Sequence, residues 1–186
     1  LVEDEEERAA VRDLHLLTLK PVMYVANVGE ADLPGGGQQV EELRRAVHEH
    51  DPDAPVLALC AELEAEVSRL EPGERAEYLE MLGLEERGLD RFIRTGFRLL
   101  GLQTFFTFNE DEVRAWTVRI GASAPEAAGR VHTDFEKEFI RAETIPFDEF
   151  EEVGSMKKAR DEGRIRSEGK DYVVEDGDIL LFRTSA

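Results

Sequence analysis

Two short apolar runs, "VMYVAN" at Val22–Asn27 and "VLALC" at Val56–Cys60, set the strongest limit on what this chain can fold into. Both are rich in β-formers. Between them Val40, Leu43 and Val47 recur at spacings of three and four within Gln38–His50, the pattern of a helix with one apolar face. Further helical patterns follow at Glu62–Leu70, Pro72–Leu82 and Leu89–Leu100, punctuated by Gly73 and Gly83. Strand, helix, strand, helix is the order of an α/β sheet wound with helices. Apolar runs without polar alternation are expected of parallel strands covered on both faces. Upstream, residues 3–19 read as the end of a charged helix that turns apolar at Leu14, Leu16, Leu17 and Leu19 and is stopped by Pro21. "ADLPGGG", Ala31–Gly37, reads as flexible loop, since consecutive glycines favour neither helix nor strand.

The pattern changes at Gly101. "LQTFFTF", a turn at Asn109–Asp111 and "VRAWTVRI" predict a β-hairpin, with Trp116, Val118 and Ile120 alternating onto one face. "SAPEAAGRVH" predicts a short helix opened by Ser123 with Pro125 in its first turn. "FIRAETI" is another strand, and "KDYVVEDGDILLFRT" predicts a closing hairpin with Asp-Gly at its turn. Together these make a small α+β domain of the ubiquitin-like, β-grasp kind.

Charge narrows the partners. The 186 residues carry a formal charge of −19, which opposes broad contact with phosphate backbones but permits a local basic patch. Lys157–Lys170 is such a patch, with six basic residues against three acidic ones. It reads as a solvated face or as a local contact with RNA. Cys60 is the only cysteine, so no internal disulfide forms, in keeping with a reducing cytoplasm. No apolar run approaches the roughly 20 residues of a membrane span. The chain opens without Met in what reads as mid-helix, which points to a portion of a longer protein.

The first strand runs into Asn27-Val28-Gly29-Glu30. A strand ending in Asn-x-x-Asp is how GTP-binding domains read guanine, the carboxylate accepting from N1–H and the 2-amino group. Glu30 adds a methylene at the Asp position, which spoils a bidentate geometry that needs heavy atoms about 2.7–3.2 Å apart. Val28 supplies no lysine stem to cover the base, though its backbone groups can still meet the 6-amino group of adenine. Asn27 either fixes the loop or touches the base. A weaker preference for guanine, with adenine tolerated or preferred, is the expectation. Cys60-Ala61-Glu62 follows the next strand, where GTPase-like domains place a second base loop. Open α/β sheets bind ligands beyond the carboxyl ends of their strands, and both segments lie there.

The stretches "LLTLKPVMYVANVGEAD", "LCAELEAEV", "GLDRFIRTGFRLLGLQTFFTFNEDEVRAWTVRIGASAPEAAGRVHTDFEKEFIRAE" and "EGKDYVVEDGDILLFR" resemble the C-terminal half of the YchF-type, Obg-related GTPase-like ATPases. "AAGRVHTDFEKEFIRAE" is the most specific of them. The resemblance implies a partial P-loop NTPase (Rossmann-like) G domain followed by a TGS domain. Residues 1–19 would be the end of a helical coiled-coil insertion, 20–101 the last part of the G domain and 102–186 the TGS domain. It implies a nucleotide-binding site at Asn27, Val28, Glu30, Cys60, Ala61 and Glu62, ATP (or GTP) and Mg²⁺ as cofactors, and the ribosome as partner. The family's phosphate-binding loop and magnesium ligands lie upstream of the part matched. No G-x-x-x-x-G-K-[ST] occurs here, and Gly35–Gly37 lack the lysine. The expected function is therefore a ribosome-associated, Mg-dependent ATPase switch in its full-length form, the chain alone being inactive. The alternative is a non-catalytic TGS module that binds ribosomal, RNA or protein partners.

Other conspicuous residues point to structure first. His15, His48, His50 and His132 lack metal-ligand spacing, and His132 precedes Thr133-Asp134 as a cap. Phe105, Phe106, Phe108 and Trp116 could form a base-stacking platform, but alternation in a hairpin favours core. Cys60 reads as core filling, while the resemblance implies a redox-responsive thiol beside the nucleotide.

Overall fold

The computed structural model describes residues 5–108 and 112–185, so the expected Asn109–Asp111 turn lies outside the described residues. The chain divides into two compact units, residues 1–100 and 101–186.

In the first unit, helix α1 spans Glu5–Ala10 and gives way to 3-10 turns at Arg12–Leu14 and Leu17–Leu19. The continuous helix expected to residue 19 is not formed. His15 adopts a left-handed conformation, and Leu14, Leu16 and Leu17 are exposed, so no buried face supports a further helical turn. Strand β1 (Tyr24–Asn27) pairs in parallel with β2 (Val56–Leu59), Asn27 standing opposite Leu59. The expectation that both strands are covered on both faces holds less well for β1, whose Tyr24 and Val25 are exposed. Among the described residues β1 has one strand neighbour, β2.

Helix α2 (Gly37–His48) crosses between the strands and packs Val40 and Val47 on Ala54, Val56 and Ala58. Its approach explains the glycine run. Gly36 is buried at φ +87°, and a Cβ there would lie 2.4 Å from Val40 Cγ2 and 2.9 Å from Ala58 Cβ. Gly36, in the loop expected to be flexible, is thus wedged between helix and strand. α3 (Ala61–Val67) leaves β2 directly, and Cys60, Leu63 and Val67 pack on Leu79 and Leu82 from α4 (Pro72–Met81) and the turn after it. α5 (Gly88–Leu99) closes the unit.

The second unit is a five-stranded sheet in the order β4-β3-β7-β5-β6. β3 (Leu102–Phe108) and β4 (Val113–Arg119) form the expected hairpin ladder, with Phe105 opposite Trp116. α6 (Ala124–Val131) opens at Ser123, whose N–H and hydroxyl both donate to Glu126 at 2.7 and 2.8 Å. α7 (Thr133–Lys137) follows, and His132 Nδ1 accepts from the Asp134 N–H at 3.3 Å as its cap. The small side chains Ala124, Ala127 and Ala128 bring α6 close onto Phe105, Val118, Phe139 and Leu180. β5 (Phe139–Pro146) runs antiparallel to β7 (Asp178–Thr184) and to β6 (Arg166–Glu168). α8 (Phe147–Val153) and α9 (Met156–Asp161) pack on the other face through Val153 and Ala159 against Ile145 and Ile179.

The closing hairpin is not formed. β7 instead pairs in parallel with β3, and Val173 makes only an isolated bridge to Ser123. The Asp-Gly pair explains the difference: Thr104 N–H donates to the Asp176 carboxylate at 2.7 Å, and Gly177 N–H donates to Thr104 O at 2.8 Å. Buried Asp178 then accepts from Tyr172 Oη at 2.7 Å and from Glu175 N–H at 3.0 Å, holding residues 172–178 as a folded turn. This mixed sheet with α6 laid across it has the β-grasp character expected, and the whole chain is α/β followed by α+β.

Candidate functional site

Parallel pairing carries β1 and β2 in one direction, so their carboxyl ends emerge side by side. Val28 N–H donates to Leu59 O at 2.9 Å, which extends the ladder one residue past β1. That amide is committed to the sheet, and only the Val28 carbonyl remains to meet a base. One residue earlier, Asn27 Oδ1 accepts from Ala61 N–H at 3.0 Å. Ala61 is the first residue of α3, so this bond satisfies one of the N–H groups that a helix start leaves without an intrahelical partner. Of the two roles open to Asn27, fixing the loop is the one its oxygen performs. Asn27 itself is exposed.

The other expected residues divide. Ala61 and Glu62 are exposed in the first turn of α3, beside the Asn27 bond, where Glu62 suits the positive end of the helix. Glu30 is exposed and begins a 3-10 turn, Glu30–Asp32. It helps line a hollow of about 300 Å³ with Ala31, Leu33, Leu82 and Leu84. Cys60 is buried, and its side chain lies among Leu63, Val67 and Leu79. Its thiol is core filling, and only the backbone of Cys60 belongs to the strand-end surface.

A second hollow, about 330 Å³, lies under the loop from β1 and is lined by Leu33, Pro34, Leu59, Cys60, Glu64 and Arg91 among others. Its charged side chains come from α3, α5 and the Glu85–Glu86 segment before α5. Glu64 Oε1 accepts from Gly88 N–H at 2.7 Å, and Arg91 Nη2 donates to Ala58 O at 2.7 Å, which ties α5 to the back of β2. Arg87 Nε stands 3.6 Å from Glu64 Oε2. A Cβ on Gly88 would lie 2.7 Å from Leu59 Cδ1 and 2.9 Å from Glu64 Oε1, so a side chain there would displace those two side-chain ends. Sequence reasoning did not find these supports. Glu64, Gly88 and Arg91 share no periodicity with the strand ends and meet only through the fold.

The remaining candidates take structural places. His48 Nε2 lies 3.1 Å from Ala54 O. Among the described residues no group of three or more His, Cys, Asp or Glu side chains is placed to hold a metal ion. Phe105 is fully buried, and Trp116 Nε1 donates to Thr107 Oγ1 at 2.8 Å, so both belong to the core side of the hairpin. Within Lys157–Lys170, carboxylates pair with four of the six cations: Lys158 with Glu162, Arg160 with Glu143, Arg164 with Glu149 and Glu152, and Arg166 with Glu168. Among the described residues no helix is long and apolar enough to cross a membrane.

Residues 102–185 match the family model YchF-GTPase_C, described as a protein of unknown function (DUF933). Ribosome-binding ATPase YchF of Escherichia coli O157:H7 is 50% identical over 177 residues, covering 95% of this chain and 48% of that protein. Its namesake in Bacillus subtilis (strain 168) is 46% identical over 181 residues, covering 96% of this chain and 49% of that protein. The solved structure of the Schizosaccharomyces pombe YchF GTPase matches with a TM-score of 0.81 at 32% identity, over 97% of this chain and 48% of that chain. The chain spans about half the length of the curated relatives it matches. With a family model on the second unit and relatives aligned across both, the chain matches the YchF family along nearly its whole length.

Proposed function

We propose that this chain supplies the base-recognising part of a nucleotide-binding switch protein that binds ATP in preference to GTP and acts at the ribosome in the cytoplasm. The 3.0 Å bond from Ala61 N–H to Asn27 Oδ1 carries the reading, because it locks together the two strand-end segments that a purine would touch. In the proposed site the Val28 carbonyl accepts from the adenine 6-amino group, the Asn27 amide and the Ala61–Glu62 turn border the ring, and Glu30 stands too far out for bidentate reading of guanine. The phosphate cradle and the Mg²⁺ ligands lie outside these residues, since no G-x-x-x-x-G-K-[ST] occurs among the 186. Bound Mg²⁺ would supply charge neutralisation at the phosphates. This chain's own part is to position the base. The second unit would couple nucleotide state to the ribosome, a reading supported by its similarity to proteins named ribosome-binding ATPases.

Titration of fluorescent ATP and GTP analogues against the protein joined to its phosphate-binding half, with Mg²⁺, tests the site. Tighter ATP binding is expected, and Glu30→Asp with Val28→Lys shifts the ratio towards GTP by about tenfold, the scale of one charged hydrogen bond. An unchanged ratio in that double variant removes this account of the pocket. Absence of nucleotide binding by any form leaves the second unit as an interaction module alone.

A further inference from the structure

Glu64 joins the strand ends to the last helix of the first unit. Its N–H donates to Cys60 O at 3.0 Å, so it rides on the turn of α3 that opens with Ala61 and Glu62. Its carboxylate reaches α5, where Oε1 accepts at 2.7 Å from the N–H of Gly88, the first residue of that helix. A carboxylate there meets both an N–H without an intrahelical partner and the positive end of the helix. One turn along, Arg91 Nη2 donates at 2.7 Å to Ala58 O, two residues before Cys60 on the chain. At its far end α5 stops at Leu99 and β3 starts at Leu102. Gly101 O accepts from Ile120 N–H at 2.9 Å, just beyond β4. Leu100 and Gly101 alone therefore connect the helix held by Glu64 to the sheet of the second unit.

The clasp is half closed. Arg87 Nε stands 3.6 Å from Glu64 Oε2, beyond the roughly 2.7–3.2 Å of an N–H···O hydrogen bond. Both atoms are buried and neither has a hydrogen-bond partner, and Arg91 Nε is in the same position. The Arg87 and Glu64 side chains are 18% and 16% exposed, so solvent screens the pair little. Buried charged groups left short of a hydrogen bond cost stability, and a static brace would bring them together. A shift of about half an ångström would make the missing bond. Arg87 directly precedes Gly88, and Oε1 is held on the Gly88 N–H, so closing the pair re-seats the first turn of α5 on α3.

We propose that Glu64 is a positioning residue that relays occupancy of the base site to the second unit. A purine bordering Ala61 and Glu62 bears on the turn that carries Glu64. The Glu64–Arg87 pair then closes and α5 is re-seated at its start, its other end lying two residues from β3. Coupling of this kind needs an element with two arrangements that both sites bias, and the half-closed pair supplies it. Linkage makes the effect reciprocal, so a partner that holds the second unit in the re-seated form tightens ATP binding. The inference rests on the base-site reading above and adds to it the path by which the base is sensed.

Amide hydrogen exchange, followed by mass spectrometry on the protein joined to its phosphate-binding half with Mg²⁺, decides it. ATP is expected to slow exchange across residues 88–108 by at least about fivefold, the lower end of ordinary coupling between sites. Tripolyphosphate, which carries no base, should leave that segment unchanged. Glu64→Gln keeps an oxygen for the Gly88 N–H but loses the charge that faces Arg87, and Arg87→Met removes the pair from the other side without touching α3. Each variant should weaken ATP binding by less than about tenfold and lose the ATP-dependent slowing at 88–108. A static brace would lower the urea midpoint of both variants and leave the exchange response to ATP intact, which overturns the proposal. Equal slowing by tripolyphosphate overturns it as well. ATP binding that leaves 88–108 unchanged in the unaltered protein refutes the relay and keeps the base reading, a comparison that stands even where a variant fails to fold. Absence of ATP binding by the unaltered protein removes the base reading and the relay with it.

Discussion

In the proposed site Asn27 serves stability and recognition together. Its oxygen caps α3 while its position holds the two strand ends in contact. Asn27→Ala is expected to cost about 0.5–2 kcal/mol in urea unfolding, as loss of a helix cap does, and to weaken nucleotide binding as well. Gly36 works by absence. A methyl there would meet Val40 and Ala58 at a positive φ, so Gly36→Ala should destabilise by about 1–3 kcal/mol or more, read from the shift of the denaturation midpoint. Glu143 gives a pH signature. Its folded-state pKa is depressed, first by the Arg183 hydrogen bond, so its contribution is present above the ordinary carboxylate range and lost as pH falls through the lowered value. Tm of the unaltered protein should exceed that of Glu143→Gln near neutral pH, and the gap should close in strong acid. A gap constant across that range would contradict the ion cluster.

Helices and strands explain where the two units get their cores. α2 buries Val40 and Val47 on β2, and α6 buries a run of alanines on Phe105 and Leu180. The alanine face lets α6 approach the sheet closely, so Phe105 fills the space left. Phe105→Ala should cost about 3–5 kcal/mol, measured as loss of the near-ultraviolet aromatic signal at lower denaturant. β7 shows an element whose pairing local turn chemistry mispredicts. Asp176-Gly177 has hairpin composition, yet both residues bond to Thr104 on β3. The turn is used to start a parallel pairing rather than to reverse the chain.

At the scale of the whole molecule, a formal charge of −19 opposes broad contact with polyanions. The proposed base site would depend on backbone groups and short side chains rather than on charge. With its phosphate cradle proposed to lie elsewhere, the 186-residue chain alone should release phosphate from ATP no faster than buffer with Mg²⁺. Sustained turnover in a phosphate-release assay would contradict that proposal.

The α/β order, the strand-end position of Asn27 and Ala61, and the Ser123 helix start were legible because they follow from periodicity, β-formers and capping residues close in sequence. Even the departure of Glu30 from Asp could be read in one dimension. What needed the tertiary structure was long-range competition: Asp176-Gly177 choosing Thr104, the leucines after Ala10 finding no face to bury, and Gly36 fitting under Val40 rather than flexing. Convergence of Arg141, Arg160 and Arg183 on Glu143 belongs to the same class. Those residues lie on three separate elements, and only sheet register and the packing of α9 bring their charges together.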